Sequence, residues 1–308
     1  MGQPRVVIAG CGFLGEAAAG FFYGSGWEVL GLCATPESAA RAESRMFQVL
    51  AADMTGDLAK IPERWLAPDL LIHCASSGRG GADAYRAIYR DGLENALGFF
   101  HPGRVIFTSS TSVYAQADGS WVDEDSPTKP GRETGAVLLE AERIALQAGG
   151  TVARLSGIYG PGRSVFLRKF LDGSATWEAG AARWVNQIHR DDAARALVRL
   201  ADGAVVPGVY NVCDSTPATR REVYSWIAAA LGKPLPPAGP PEVDGKREQT
   251  NKRVRNAKLR ATGWQPEFFS YAAAISGILG SPANESFRCS ASGKGPAAIG
   301  TCGPGSPE

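Results

Sequence analysis

The first half of the chain alternates between two textures of hydrophobic and polar positions. Short continuous apolar runs have the length and β-branched content of strands buried on both faces: "RVVIAG" (5–10), "EVLGLC" (28–33), "FQVLAA" (47–52), "DLLIHCA" (69–75), "GRVIFTSS" (103–110) and "TVARLS" (151–156). Between them, "FLGEAAAGFFYGSG" (13–26) and the stretches near 36–44, 82–100 and 134–148 suit helices. Repeated strand–helix–strand predicts an α/β protein with an open, doubly wound parallel sheet covered by helices on both faces.

After Ser156 the texture changes. "GIYGPGRSVFLRKFLDG" predicts a glycine-rich loop running into an amphipathic helix, and "WVNQIHRDDAARALVRLAD" a strand, a turn and a helix with Asp191 or Asp192 as N-cap. "GVYNVCD" (208–214) reads as one more strand. "TRREVYSWIAAALG" (219–232) opens on a Thr219/Glu222 capping box and stops at Gly232. "PLPPAGPPE" (234–242) cannot be helix, and "SYAAAISGIL" (270–279) predicts a last short helix. The expected division is a dinucleotide-binding domain over 1–156, a small C-terminal α/β substrate lobe over 157–280, and a Gly-, Ser- and Pro-rich disordered tail over 281–308.

Composition narrows the functional classes. The 308 residues carry 44% hydrophobic and 20% charged side chains, as in soluble globular proteins. A net charge of +1 gives no long-range attraction to nucleic acid or anionic membrane, and no apolar run reaches the roughly 20 residues of a membrane span. The chain enters a strand pattern at once, without the pattern of a secretory signal. Cysteines at 11, 33, 74, 213, 289 and 302 lack C-x-x-C spacing, and most lie in apolar strands. The expectation is a cytoplasmic protein without a disulfide framework or a metal site.

The candidate chemistry begins at "AGCGFLGEAAA", where Gly10, Gly12 and Gly15 have G-x-G-x-x-G spacing directly after the first strand. Gly10 permits the tight turn, Gly12 lets backbone approach a pyrophosphate, and Gly15 lets helix pack on strand. The helix N-terminus adds amide donors. Gly10, Gly12, Phe13, Leu14 and Gly15 are therefore expected to bind a dinucleotide. An acid at the end of the second strand would hold the ribose 2′-hydroxyl of NAD, yet "GLCATPESAAR" has none at 33–36. Thr35, Ser38 and Arg41 can contact a 2′-phosphate, which favours NADP and leaves NAD possible.

Seven segments resemble the extended and atypical short-chain dehydrogenase/reductases, the group that holds sugar-nucleotide epimerases and dehydratases. They are "GCGFLG", "AADMTG", "LIHCASS", "FTSSTSVYAQADGSWVDEDSP", "ARLSGIYGPGR", "NQIHRDDAARAL" and "YNVCDSTPATRREV". The resemblance implies a Rossmann-type fold with the substrate lobe named above. It implies that Asp53 and Met54 meet the adenine, that Ala75 and Ser76 line the cofactor, and that Ser109 and Ser110 lie near the nicotinamide, with Ser110 in the position of the catalytic Ser or Thr. Arg163, Asn186 and His189 would face a small-molecule substrate, with Thr111 beside them. A homodimer through the helices near 82–100 and 134–148 is also implied.

One departure matters. The family's proton carrier is a Tyr four residues before a Lys, and none of the eight tyrosines here has Lys in that place. Aligning the helix "RETGAVLLEAERIAL" sets Thr134 for the Tyr and Leu138 for the Lys. The dehydratases' Asp-Glu pair is replaced by Thr111 and Ser112, which disfavours elimination of water. Three readings follow. The first is a reductase or dehydrogenase whose proton passes through Ser110, Tyr114, Tyr159 or water, with Tyr114 first and Glu133 a weaker candidate. The second is an epimerase with a transient keto intermediate, and the third a non-catalytic NADP-binding redox sensor. The substrate pocket would draw on Tyr85, Tyr89, Trp121, Trp177 and Trp184, predicting a fairly apolar cavity.

Overall fold

The computed structural model describes residues 2–42, 46–78, 80–180, 183–239 and 250–280. The expected tail over 281–308, and residues 240–249, which include the end of the proline-rich run, lie outside them.

Seven strands form one parallel sheet: β1 (Arg5–Ala9), β2 (Glu28–Cys33), β3 (Gln48–Ala51), β4 (Leu70–His73), β5 (Val105–Ser110), β6 (Thr151–Leu155) and β7 (Val209–Val212). Their order is β7-β6-β5-β4-β1-β2-β3. The helices of six residues or more among the described residues, in chain order, are α1 (Phe13–Gly24), α2 (Pro36–Arg41), a composite α3 over 82–99, α4 (Glu133–Gln147), α5 (Val165–Leu171), α6 (Arg190–Leu200), α7 (Arg220–Leu231) and α8 (Tyr271–Gly280). Within α3 the segment Arg86–Asp91 winds as a π-helix between two α-helical pieces.

The continuous apolar strands fold as their pattern requires. Val6 and Ile8 join a core that includes Phe22 of α1 and Leu197 of α6, while Val7 and Ala9 join the opposite core with Leu71, Ala96 and Phe100. Alternate residues of β1 thus serve different faces. The chain reverses direction across the sheet between β3 and β4, so the carboxyl ends of β1 and β4 border a crevice, the usual ligand position in such sheets.

The stretch after Ser156 is less separate than the sequence suggests. β7 pairs with β6 in the main sheet, and α6 packs on α1. The remaining pieces make a lobe around Tyr159, Leu167, Tyr224 and Tyr271, built from α5, α7 and α8. The strands Gly157–Tyr159 and Gln187–His189 pair in parallel and lead into this lobe. The Thr219/Glu222 capping box forms, and Gly232 closes α7 at φ 61°. The N-cap of α6 is His189 rather than either aspartate, its Nδ1 accepting from Asp191 N at 3.3 Å. Asp192 is buried instead and accepts from the backbone amides of Glu267 (2.8 Å) and Phe268 (2.9 Å).

Candidate active site

A cleft of about 910 Å³ opens over the carboxyl ends of β1, β2, β4 and β5 and continues under the lobe. Its floor is the glycine loop. Gly10 has φ +96°, and a Cβ there would lie 2.3 Å from Ala75 N, so only glycine lets β1 and β4 end side by side. At Gly12 the added Cβ would meet nothing within 4 Å, which leaves open space beside the loop's backbone. Gly15 does not line the cleft: its Cβ would lie 2.2 Å from Gly10 O, so it packs helix on loop as its spacing predicts. No side chain caps α1, and Phe13 and Leu14 of its first turn border the cleft. Uncapped amides over bare glycine backbone fit a pyrophosphate.

Around this floor the expected cofactor residues come together. Asp53, Met54, Ala75, Ser76 and Ser109 all line the cleft. Asp53 Oδ1 accepts from Thr55 N and Oγ1, both at 2.9 Å, which fixes the carboxylate at the end of the third strand. Arg41 and Ser38 border the cleft beyond β2, joined by a 3.1 Å hydrogen bond from Arg41 Nη2 to Ser38 Oγ. Thr35 does not line it. Its hydroxyl caps α2, accepting from Ser38 N at 3.2 Å. Burial pushes the Cys11 and Cys74 thiols up to about 12, so neither supplies a thiolate near neutral pH.

Adjacent hydroxyls at the end of β5 have opposite polarity. Ser109 Oγ donates to Glu142 Oε1 at 2.6 Å, so only its lone pairs remain for the cleft. Ser110 Oγ accepts from Ser112 N at 3.1 Å, so its own O–H is available to donate. Behind Ser109 lies a buried chain. Glu142 of α4 receives Arg154 Nε (3.0 Å) and Nη2 (2.7 Å), and Arg154 Nη1 donates to Tyr114 Oη (2.8 Å). Tyr114 in turn donates to Asn211 Oδ1 at 2.9 Å.

That chain corrects the first choice of proton carrier. Tyr114 is 0% exposed and absent from the cleft wall, its hydroxyl held between Arg154 and Asn211 and its pKa raised by burial. Tyr159 lines the cleft but is only 1% exposed. Its hydroxyl reaches Ser270 O at 3.5 Å, and burial raises its pKa strongly. Glu133 lies at the exposed start of α4 and pairs with Arg86 at 2.7 Å. Thr111 is buried with Oγ1 3.5 Å from Ser156 Oγ, outside the cleft lining.

The substrate-side expectations divide similarly. Arg163 lines the cleft with its guanidinium 5.0 Å from the Phe13 ring, over the glycine loop. Asn186 borders the cleft, but its amide is spent on the segment beyond 250, donating to Lys252 O (2.9 Å) and accepting from Val254 N (2.8 Å). His189 is buried against Phe268 and Tyr159 and does not line it. Tyr85 and Tyr89 line the wall as expected. Trp121, Trp177 and Trp184 do not, each being covered by an arginine, Arg253 or Arg221. The lobe wall is also more cationic than the aromatic count suggests, since Lys169 and Arg220 join Arg163 there. Arg220 is ion-paired with Glu178 at 3.1 Å.

Comparison with known proteins agrees with this fold. Residues 6–213 match the model of the NAD dependent epimerase/dehydratase family. The chain is 32% identical over 242 residues to protein YeeZ of Escherichia coli (strain K12), covering 75% of this chain and 85% of that protein. It is 25% identical to UDP-glucose 4-epimerase of Mycolicibacterium smegmatis, covering 85% of this chain and 94% of the relative. In fold it is similar to the Bordetella bronchiseptica enzyme WbmG solved in complex with NAD, at TM-score 0.76 and 17% identity over 92% of this chain and 95% of that one.

Proposed function

The chain belongs to the NAD dependent epimerase/dehydratase family, and from that premise we propose that it is a nicotinamide-dependent reductase of a carbonyl group on a small anionic substrate. The observation that carries this reading is the polarity of the β5 hydroxyls. Reduction needs a donor at the carbonyl oxygen, and Ser110 keeps its O–H available while Ser109 is committed to Glu142. A bound reduced nicotinamide supplies the hydride. Gly10, Gly12, Phe13 and Leu14 would hold its pyrophosphate, Asp53 and Met54 its adenine end, and Ala75, Ser76 and Ser109 the stretch toward the nicotinamide. Ser38 and Arg41 favour a 2′-phosphate, hence NADPH over NADH. Arg163, with Lys169 and Arg220 beyond it, supports a phosphate or carboxylate on the substrate.

Epimerisation is the second reading, supported by the similarity to the mycobacterial UDP-glucose 4-epimerase. It would begin by removing a proton from a hydroxyl and so needs a base. Among the described residues the carboxylates that line the cleft are Glu16, in the first turn of α1, and Asp53, just after β3, neither of them on β5. A cytoplasmic homodimer through the α3 and α4 faces fits either reading, and Arg86–Glu133 and Arg90–Glu140 ion pairs already lock those two helices together.

The test is calorimetry with NADPH and NADH, followed by cofactor oxidation with a panel of phosphorylated and carboxylated carbonyl compounds. Turnover that Ser110→Ala abolishes supports reduction. Solvent deuterium in a redox-neutral product would favour epimerisation. Tight binding without turnover, joined to cofactor-dependent capture of a partner protein, would favour a redox sensor.

A further inference from the structure

The family's helix phenol is missing from α4, yet a phenol borders the same end of the cleft from another element. Tyr85 of α3 lines the cleft, as do Ser109, Ser110 and Leu138. It packs on the apolar cluster that contains Leu138, the residue standing in the lysine's place. Tyr85 ends the α-helical piece Ala82–Tyr85 at the point where α3 widens into its π-helical segment, a form frequent at functional sites.

The other phenols of the cleft are committed elsewhere. Tyr159 and Tyr224 are buried in the lobe core. Tyr89 turns toward the core below β5, its ring 6.3 Å from Phe107 and 6.5 Å from His73. Tyr85 lies against Tyr89, ring centroids 4.9 Å apart and planes tilted by 47°, and stays half-buried. Beside its phenol lies Ser77, whose buried hydroxyl oxygen has no partner at full hydrogen-bond geometry among the described residues and whose nearness to the phenol works against the rise in its pKa. An uncommitted hydroxyl next to a phenol is a donor in reserve for a developing phenolate.

We propose that Tyr85 donates the proton to the substrate oxygen, with Ser77 as its positioning partner. The inference rests on the reductase reading above. As hydride reaches the carbonyl carbon, the C=O π pair moves onto oxygen and the Tyr85 O–H bond breaks, its proton completing the new hydroxyl. Water entering the cleft then reprotonates the phenolate. Burial, with Tyr89 adding to it, pushes the Tyr85 pKa upward, which keeps the phenol protonated and ready to donate at neutral pH.

The test uses the full chain with Tyr85→Phe and Ser77→Ala. Tyr85→Phe keeps the ring against Tyr89, so an unchanged melting midpoint certifies its fold. Its kcat should fall about 10²- to 10⁴-fold while cofactor Kd stays within about threefold. Ser77→Ala should lower kcat by about tenfold and leave substrate KM unchanged. A second readout is independent of turnover. In ultraviolet titration of tyrosinate, the step lost in Tyr85→Phe should move to lower pH when oxidised nicotinamide, a cation, is bound. An active wild type whose Tyr85→Phe variant stays within about threefold overturns Tyr85 alone. So does a tyrosinate step that oxidised cofactor leaves in place. A wild type that binds cofactor but reduces no carbonyl compound overturns the reductase reading and the proton transfer with it.

Discussion

Glu142 and Arg154 should be strongly coupled. They are 3% and 5% exposed, and two guanidinium nitrogens meet the two carboxylate oxygens, Nε at 3.0 Å and Nη2 at 2.7 Å. Two unit charges about 4 Å apart attract by about 4 kcal/mol at an effective dielectric of about 20. Glu142→Leu leaves the guanidinium with Tyr114 but no counter-charge, and Arg154→Met leaves the carboxylate with Ser109 alone. Each single change should cost about 3–5 kcal/mol. The double variant removes both charges, leaves the Ser109 hydroxyl without its acceptor and takes one of two partners from the Tyr114 hydroxyl, at about 1 kcal/mol each. The singles therefore sum to about 8 kcal/mol against about 2–3 for the double, a coupling well above 3 kcal/mol. Urea unfolding followed by circular dichroism measures this as midpoint shifts at constant slope. Additive costs, or a Glu142→Leu cost under about 1 kcal/mol, would refute the reasoning.

Three further outcomes are expected. His73 is buried between Tyr89 and Phe107, and burial lowers its pKa from 6.5 to about 4. The unfolded chain therefore takes the proton first as pH falls, so stability is lost between pH 6.5 and 4, by about 3 kcal/mol in all; His73→Leu should flatten that part of the pH–stability curve, and an unchanged slope would remove His73 as its source. Gly10→Ala forces φ +96° on an L-residue and sets a methyl 2.3 Å from Ala75 N. It should cost at least about 3 kcal/mol and abolish dinucleotide binding by calorimetry. Arg41→Ala should reduce the NADPH-to-NADH affinity ratio about tenfold, equivalent to about 1.4 kcal/mol; an unchanged ratio would take the 2′-phosphate away from Arg41.

What was legible in the chain was whatever depends on local pattern. Continuous apolar runs became strands because both faces of β1 are buried, and the glycine spacing held because Gly10 and Gly15 each meet backbone at under 3 Å once a Cβ is added. The hydroxyls of β5 came from the family resemblance rather than from local pattern, and both line the cleft. The residues behind them were legible in neither. Arg154 lies in the middle of a strand otherwise made of apolar and small residues, and Glu142 lies on the buried face of α4 beside Val137, Leu138 and Ala141. Each charge signalled a need for a partner, but only the packing of α4 on β5 and β6 brings the two together. Tyr114 was read as a catalytic phenol because it follows the active strand closely. Its direction is set by Asn211 on β7, which lies 97 residues away and reaches the sheet by a crossover that no local pattern encodes. His189 replaced the aspartates as N-cap for a related reason: Asp192 is drawn inward by the Glu267 and Phe268 amides.

In the reading proposed above, a phenol without a lysine beside it also bears on the direction of the reaction. A neighbouring ammonium lowers a phenol's pKa toward neutrality, and such a group can both give and take a proton. Leu138 offers no charge to Tyr85, and burial moves the phenol the other way, above its ordinary 10.0. A phenol of that kind donates well and accepts poorly near neutral pH, because almost none of it is phenolate. Carbonyl reduction should therefore run at a constant rate through neutral pH and decline only above pH 10, as Tyr85 loses its proton. Alcohol oxidation, which needs the phenolate, should rise over the same alkaline range. Epimerisation requires both steps in one turnover and would be slow wherever either form is scarce. A reduction rate that instead rises and falls around pH 7 would mean that a different group, with a pKa near neutrality, carries the proton.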